Sequence, residues 1–250
     1  MQSARILCLG LLVTSPLGAL QAQQPQPPQS PASPSGPSHQ WWHGALLVGG
    51  ISGLMLLDNS VRSLSQNERG AVSDGFASGI RRMGQPEVYA TLTLGLLGAG
   101  LISGNQKITR AGVHVGASVA LAAGAVVVGK SLMGRSRPDE FGSDGDDFHP
   151  LTGRVSMPSG HTALAFSLAT SLADDIHRPW ATAGLYSMAG LVGLSRINDN
   201  RHWLSDVAVG ALVGITSAKF VSGRWTVFGV RAPSIIAGPQ GVGVGWQSEF

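Results

Sequence analysis

Apolar positions along the chain gather into blocks separated by short polar or Gly/Pro-containing breaks. Residues 43–57, 88–103, 108–134, 160–175, 180–196 and 203–221 each read as an apolar or amphipathic helix. A more polar amphipathic stretch, 68–83, lies between the first two, and Gly84 and Pro86 separate it from the next block. Beyond residue 222 the pattern changes. Ser234-Ile235-Ile236 and Val242-Gly243-Val244-Gly245-Trp246 flank Gly238-Pro239-Gln240-Gly241, which suggests a short hairpin, although glycine weakens strands. The expected fold class is all-α: an up-and-down helical bundle of about six core helices, with a short C-terminal β-hairpin.

The start of the chain follows different rules. Arg5, the apolar stretch Ile6 to Leu20 and Ala22 read as a secretory signal over 1–22, with an uncleaved anchor helix as the alternative. Residues 23–38 are rich in Pro, Gln and Ser and cannot bury a core, so 23–40 is expected to be a disordered linker. Trp41-Trp42 opens the ordered part. The expected organisation is then a helical domain over 41–222 and a tail over 223–250.

Composition sharpens this picture. Charged residues make up 12% of the chain, against roughly 25% in an average soluble domain. Together with 43% hydrophobic residues and 35 glycines, the deficit points to a membrane protein or to closely packed Gly/Ala-rich helices. A net charge of +3 without any block of Lys and Arg gives no support to nucleic-acid binding. Cys8 is the single cysteine, which excludes an internal disulfide and a Cys-based zinc site.

Three polar clusters interrupt the apolar pattern, each where a helix meets a loop. Lys130 and Arg137 are seven residues apart, on one helical face, before Pro138 redirects the chain. Two cations there suit a multiply charged anion, or merely complement the helix dipole. Pro158-Ser159-Gly160-His161 opens the next helix, with Ser159 as a good N-cap and Gly160 allowing close backbone approach. Free N–H groups at such a start favour phosphate, and His161 beside them could move a proton. Ser195-Arg196 and His202 bracket the turn Asn198-Asp199-Asn200, and Asp206 follows His202 by one helical turn. A carboxylate there can fix the imidazole tautomer and support the charge that develops as the other nitrogen attacks. In an up-and-down bundle all three clusters fall at one end.

The order KxxxxxxRP, PSGH, SRxxxxxHxxxD resembles the signature of the phosphatidic acid phosphatase type 2/haloperoxidase superfamily at every specified position, over about residues 85–222. The resemblance implies that Lys130, Arg137 and Arg196 bind phosphoryl oxygens, with Ser159 and the Gly160 N–H completing the cradle. It implies His202 as nucleophile, Asp206 as its orienting partner and His161 as general acid. The implied enzyme is a phosphatase that uses no metal or other cofactor, hydrolysing a phosphomonoester or pyrophosphate, on a lipid or a small molecule, through a phosphohistidine. A vanadate-dependent haloperoxidase and a non-catalytic envelope lipid-binding protein are the alternatives.

The acidic loop 139–150, with Asp144, Asp146, Asp147 and His149, lacks a full calcium-loop pattern and is expected to be a solvated loop over the site entrance. His39, His43, His114 and His177 have no partner pattern, and His114 is expected to pack between helices. The first two apolar blocks, of about 14–16 residues, fall short of the ~20 needed to cross a bilayer. The sequence therefore favours an exported cell-envelope protein, periplasmic and soluble or peripheral to the membrane surface, with an integral membrane protein as the alternative.

Overall fold

The computed structural model describes residues 41–140, 144–227, 230, 232, 234–238 and 241–245. The expected signal and linker lie outside the described residues. Seven helices follow in order: α1 (Trp41–Asn67), α2 (Ala71–Met83), α3 (Pro86–Ser103), α4 (Gln106–Met133), α5 (Gly160–Ile176), α6 (Pro179–Asn198) and α7 (Leu204–Val221). Two short strands, β1 (Ser234–Gly238) and β2 (Gly241–Gly245), pair antiparallel with Ser234 opposite Gly245. The all-α bundle and its terminal hairpin are both as expected, and β1 lies against α4.

Local chemistry explains the helix boundaries. Asn105 caps α4, its side chain accepting from the N–H of Lys107 at 3.1 Å. Gly134 stops α4 in a left-handed conformation (φ 56°) and returns its N–H to Lys130 O at 2.9 Å. Prolines at the first helical positions start α3 and α6. Asn200, at φ 57°, takes the left-handed turn between α6 and α7, a conformation Asn tolerates.

α5 is the central element, packed against α4, α6 and α7, while α3 pairs with α4, α2 with α6 and α1 with α7. The core is made of small residues and a few larger ones: Ala122, Ala165, Ala169 and Ala189 are buried with Ile80, Tyr89, Leu164 and Val192. Close helix approach is the reason. A Cβ on Gly210 of α7 would lie 2.6 Å from Ser159 O at the start of α5. Gly100, Gly112, Gly193 and Gly214 serve tight helix contact in the same way.

Two expectations are corrected here. α1 runs to Asn67, ten residues past the end of its apolar block. The polar residues 58–67 remain helical because Asp58, Arg62 and Gln66, spaced by four, share one face that meets other parts of the bundle. That extension changes the membrane argument. Over Gly44–Asn67 the helix has 24 residues, about 36 Å at ~1.5 Å per residue, against a hydrocarbon core of ~30 Å. α4 (Gln106–Met133) and α7 (Leu204–Val221) are also long and apolar enough to cross. Leu46, Val48 and Leu56 of α1, with Val127, Val128 and Leu132 of α4, present large apolar side chains outward. Three helices of this length and composition, with large apolar side chains facing outward, match a hydrocarbon core. The chain is an integral membrane protein, and the expected soluble or peripheral placement is overturned.

Candidate active site

α1, α4 and α6 end, and α5 and α7 begin, at the same end of the bundle. There the predicted cluster residues meet. His202 lies just before α7, 5% exposed, with Nδ1 at 3.5 Å from Oδ2 of Asp206, within ion-pair distance but without a formed hydrogen bond. Asp206 is fully buried and held on all sides. Its Oδ1 accepts from Arg135 at 2.7 Å, and its Oδ2 accepts from the Ser156 hydroxyl at 2.5 Å and the Trp203 N–H at 3.0 Å. The last bond also caps α7.

The three predicted cations converge with the histidines. Arg196, in the last turn of α6, is buried and donates to Asp199 Oδ2 at 2.8 Å. Lys130, near the end of α4, bonds the carbonyl of Val155. Arg137 is half-buried in the segment after α4, so the expected shared helical face with Lys130 is not formed: Gly134 ends α4 between them. His161, in the first turn of α5, has its pKa pushed down to about 4, first by burial and then by the positive charge of Arg196, His202, Lys130 and Arg81. Burial likewise pushes His202 down, opposed by the carboxylate of Asp206. The site is thus cationic and partly dehydrated, an environment that strengthens attraction for a phosphate dianion.

Ser159 sits differently from expectation. It begins α5, but its side chain makes no cap. Its hydroxyl is fully buried and accepts from Thr162 Oγ1 at 2.9 Å, and its N–H goes to Asp206 O at 3.0 Å. The first bond of the α5 ladder runs from Ala163 N to Ser159 O, so the N–H groups that open the helix begin at Gly160.

Several residues at the site carry no signal in the spacing of the clusters. Arg135 is fully buried, bonded to Asp206, to Asp58 of α1 at 2.6 Å, to the Ser205 hydroxyl at 2.6 Å and to the carbonyl of Gly145. Breaking a buried pair of this kind by removing one partner costs about 3–5 kcal/mol. Arg81 of α2 shares Asp199 Oδ2 with Arg196, at 3.1 Å. Arg62 of α1 donates to Asn200 at 3.2 Å and lies 5.4 Å over the Trp203 ring. Trp203 is fully buried, with Nε1 bonded to Ser136 O at 2.9 Å. Two of these are marked in the sequence: Trp203 stands beside His202, where it walls the pocket or packs, and Asp58 is an acidic residue directly after an apolar run.

The acidic loop is tied down more than expected. Asp147 bonds Arg154 at 2.5 Å and His149 at 2.6 Å and also receives the Ser136 hydroxyl, while the Ser136 N–H reaches Asp147 O at 3.1 Å. These bonds fold the segment back so that Ser156 N meets Arg135 O at 3.0 Å, which delivers the Ser156 hydroxyl to Asp206. His114 is buried as expected and lies 3.4 Å from Asp175.

Comparison with known proteins agrees with this geometry. The family model described as the PAP2 superfamily matches residues 111–227. A lipid A 1-phosphatase from Porphyromonas gingivalis is 42% identical over 109 residues, which cover 43% of this chain and 22% of that protein's length. Among solved structures, Aquifex aeolicus LpxE is similar at a TM-score of 0.52 and 28% identity, covering 65% of this chain and 92% of that one. A transmembrane PAP2-type phosphatidylglycerolphosphate phosphatase from Bacillus subtilis shares the fold, with a TM-score of 0.53 and 21% identity over 74% of this chain and 96% of that one. Over residues 111–227 the chain carries a PAP2 (phosphatidic acid phosphatase type 2) superfamily segment.

Proposed function

We propose that this protein is a membrane phosphatase that removes a phosphoryl group from a lipid phosphate through a phosphohistidine on His202. The observation that carries the reading is the buried His202–Asp206 pair, set among Lys130, Arg137, Arg196 and His161 at one end of a bundle with three membrane-crossing helices. The similar proteins add weight to a lipid substrate, since their names describe a lipid A phosphatase and a phosphatidylglycerolphosphate phosphatase.

With Nδ1 directed at Asp206, the favoured tautomer carries its proton there and leaves the Nε2 lone pair to attack. Nε2 bonds to phosphorus as the bond from phosphorus to the leaving oxygen breaks. His161 gives that oxygen its proton. Asp206 offsets the positive charge that develops on the ring, and Lys130, Arg137, Arg196 and the Gly160 N–H hold the phosphoryl oxygens. Water then attacks phosphorus, His161 takes up its proton, and the phosphorus–nitrogen bond breaks to release phosphate.

His161 needs a proton for this role although its pKa lies near 4 before substrate arrives. The same cations that depress it attract a phosphate dianion, whose two negative charges reverse the local field and favour the imidazolium. Substrate binding and protonation of the acid are thereby coupled.

The test is a phosphate-release panel with the full chain in detergent micelles, comparing phosphatidic acid, an isoprenyl diphosphate, lipid A and a small aryl phosphate. Turnover on a lipid phosphate that is lost in His202→Ala supports the reading. Retained turnover in that variant removes His202 as nucleophile. Tight phosphate binding without turnover of any ester points instead to a binding protein.

A further inference from the structure

An ionised carboxylate on an apolar, membrane-crossing helix is costly unless it is paired, and such residues are retained for a function. Asp58 is one, on α1, outside the segment matched by the family model. It is fully buried. Its Oδ2 accepts from Arg135 and from the Ser205 hydroxyl, each at 2.6 Å, and its Oδ1 accepts from the Ser205 N–H at 2.9 Å. Arg135 turns its other terminal nitrogen to Asp206, at 2.7 Å, and its guanidinium lies 5.4 Å from the Trp203 ring and 5.0 Å from the Phe148 ring. One guanidinium is therefore shared between two carboxylates, and one of those carboxylates is the partner of His202.

The charge count follows directly. Arg135 and Asp206 alone would be a neutral pair, with the carboxylate facing His202 already cancelled. Asp58 adds a second negative charge and leaves the enclosed group at net −1. Of the other charged or titratable groups at the site, Lys130 from α4, Arg137 after α4, His161 from α5, Arg196 from α6 and Arg62 from α1, over Trp203, are cationic or neutral, and the Asp199 carboxylate is already taken up by Arg196 and Arg81. We infer that Asp58 is a positioning residue that keeps the Arg135–Asp206 pair net negative, so that His202 gains a counter-charge as its Nε2 bonds to phosphorus. The inference rests on His202 being the nucleophile proposed above. A purely structural Asp58, tying α1 to α7, would produce the same contacts but a different response to pH.

Asp58→Asn keeps the shape and removes the charge. The assay is phosphate release from an aryl phosphate by the full chain in detergent micelles across a pH series. Expected is a fall in kcat of about tenfold or more with KM within about twofold. The acidic limb of kcat/KM, where His202 must lose its proton to attack, is expected to move down by roughly one unit, because a lost negative charge weakens the imidazolium. Asp58→Asn/Arg135→Gln restores the net −1 and should bring the limb back toward wild type. Asp58→Glu keeps the charge and should leave the limb in place whatever its effect on kcat, and it serves alone if the Asn variant does not fold. An unchanged kcat in Asp58→Asn, a reduced kcat with an unmoved limb, or a shifted limb in Asp58→Glu overturns the inference. A His202→Ala variant that still turns over would instead remove the nucleophile assignment itself, so the two failures are separable.

Discussion

His202 Nδ1 and Asp206 Oδ2 lie 3.5 Å apart, and that same carboxylate oxygen is gripped by the Ser156 hydroxyl and the Trp203 N–H. Asp206 cannot swing toward or away from the imidazole without breaking bonds to two other segments. The pair is therefore set before substrate arrives, as an orienting carboxylate requires.

Asp206→Asn should lower kcat by about 10²-fold or more with little change in KM, because the amide can present its donor to Nδ1 and reverse the tautomer. Steady-state phosphate release measures this. A variant within threefold of wild type would show that the carboxylate does not orient His202.

His161→Asn should lose about 10²- to 10⁴-fold in rate on an alkyl phosphate, the range expected of a general acid. In the first turnover, before water attacks the phosphohistidine, the loss should be much smaller on an aryl phosphate, whose leaving oxygen needs no proton. Equal losses on both substrates would place His161 in phosphate binding and not in proton transfer.

Proton linkage supplies a third prediction. Free His161 has a pKa of about 4 and is neutral at pH 6. A bound phosphate dianion raises that value, so the complex holds more protons than the free protein, and affinity rises as pH falls through the window above 4. Calorimetry of inorganic phosphate binding at pH 6, in buffers of different ionisation enthalpy, should show proton uptake that is reduced in His161→Asn. Phosphate's own titration is common to both proteins and cancels in the comparison. Identical uptake in the two would contradict the coupling.

Much of this site was legible in the sequence because its helix-end clusters are local. Gly160 and His161 share the start of α5, His202 and Asp206 flank the start of α7, and Lys130 and Arg137 flank the end of α4, so each pair is short-range in the chain. Ser159 has the position of a cap, but its hydroxyl is buried and accepts from Thr162. Asp58, Arg135 and Ser156 carry no local signal of their contacts because their partners lie up to 147 residues away in the chain. The membrane placement is hidden in the sequence for a related reason. The polar residues that end the apolar block of α1 looked like a helix end, whereas Asp58, Arg62 and Gln66 are satisfied by distant groups and let the helix continue.

Gly210→Ala tests the close packing that sets the start of α5. The added Cβ would fall 2.6 Å from Ser159 O, which is backbone and cannot step aside cheaply. The expected cost is about 1–3 kcal/mol, from overpacking, read as a lowered unfolding midpoint in detergent together with reduced activity. An unchanged midpoint would mean that α7 can shift on α5 without loss.

The central claim is a covalent phosphorus–nitrogen bond on His202, and trapping it is the most direct measurement. The protein is mixed with a radiolabelled phosphate ester for milliseconds, quenched in base, where phosphohistidine survives, and mapped by mass spectrometry. The account predicts label on the peptide carrying His202 in wild type and none in His202→Ala. Label on another residue, or full phosphate release by His202→Ala, would contradict it.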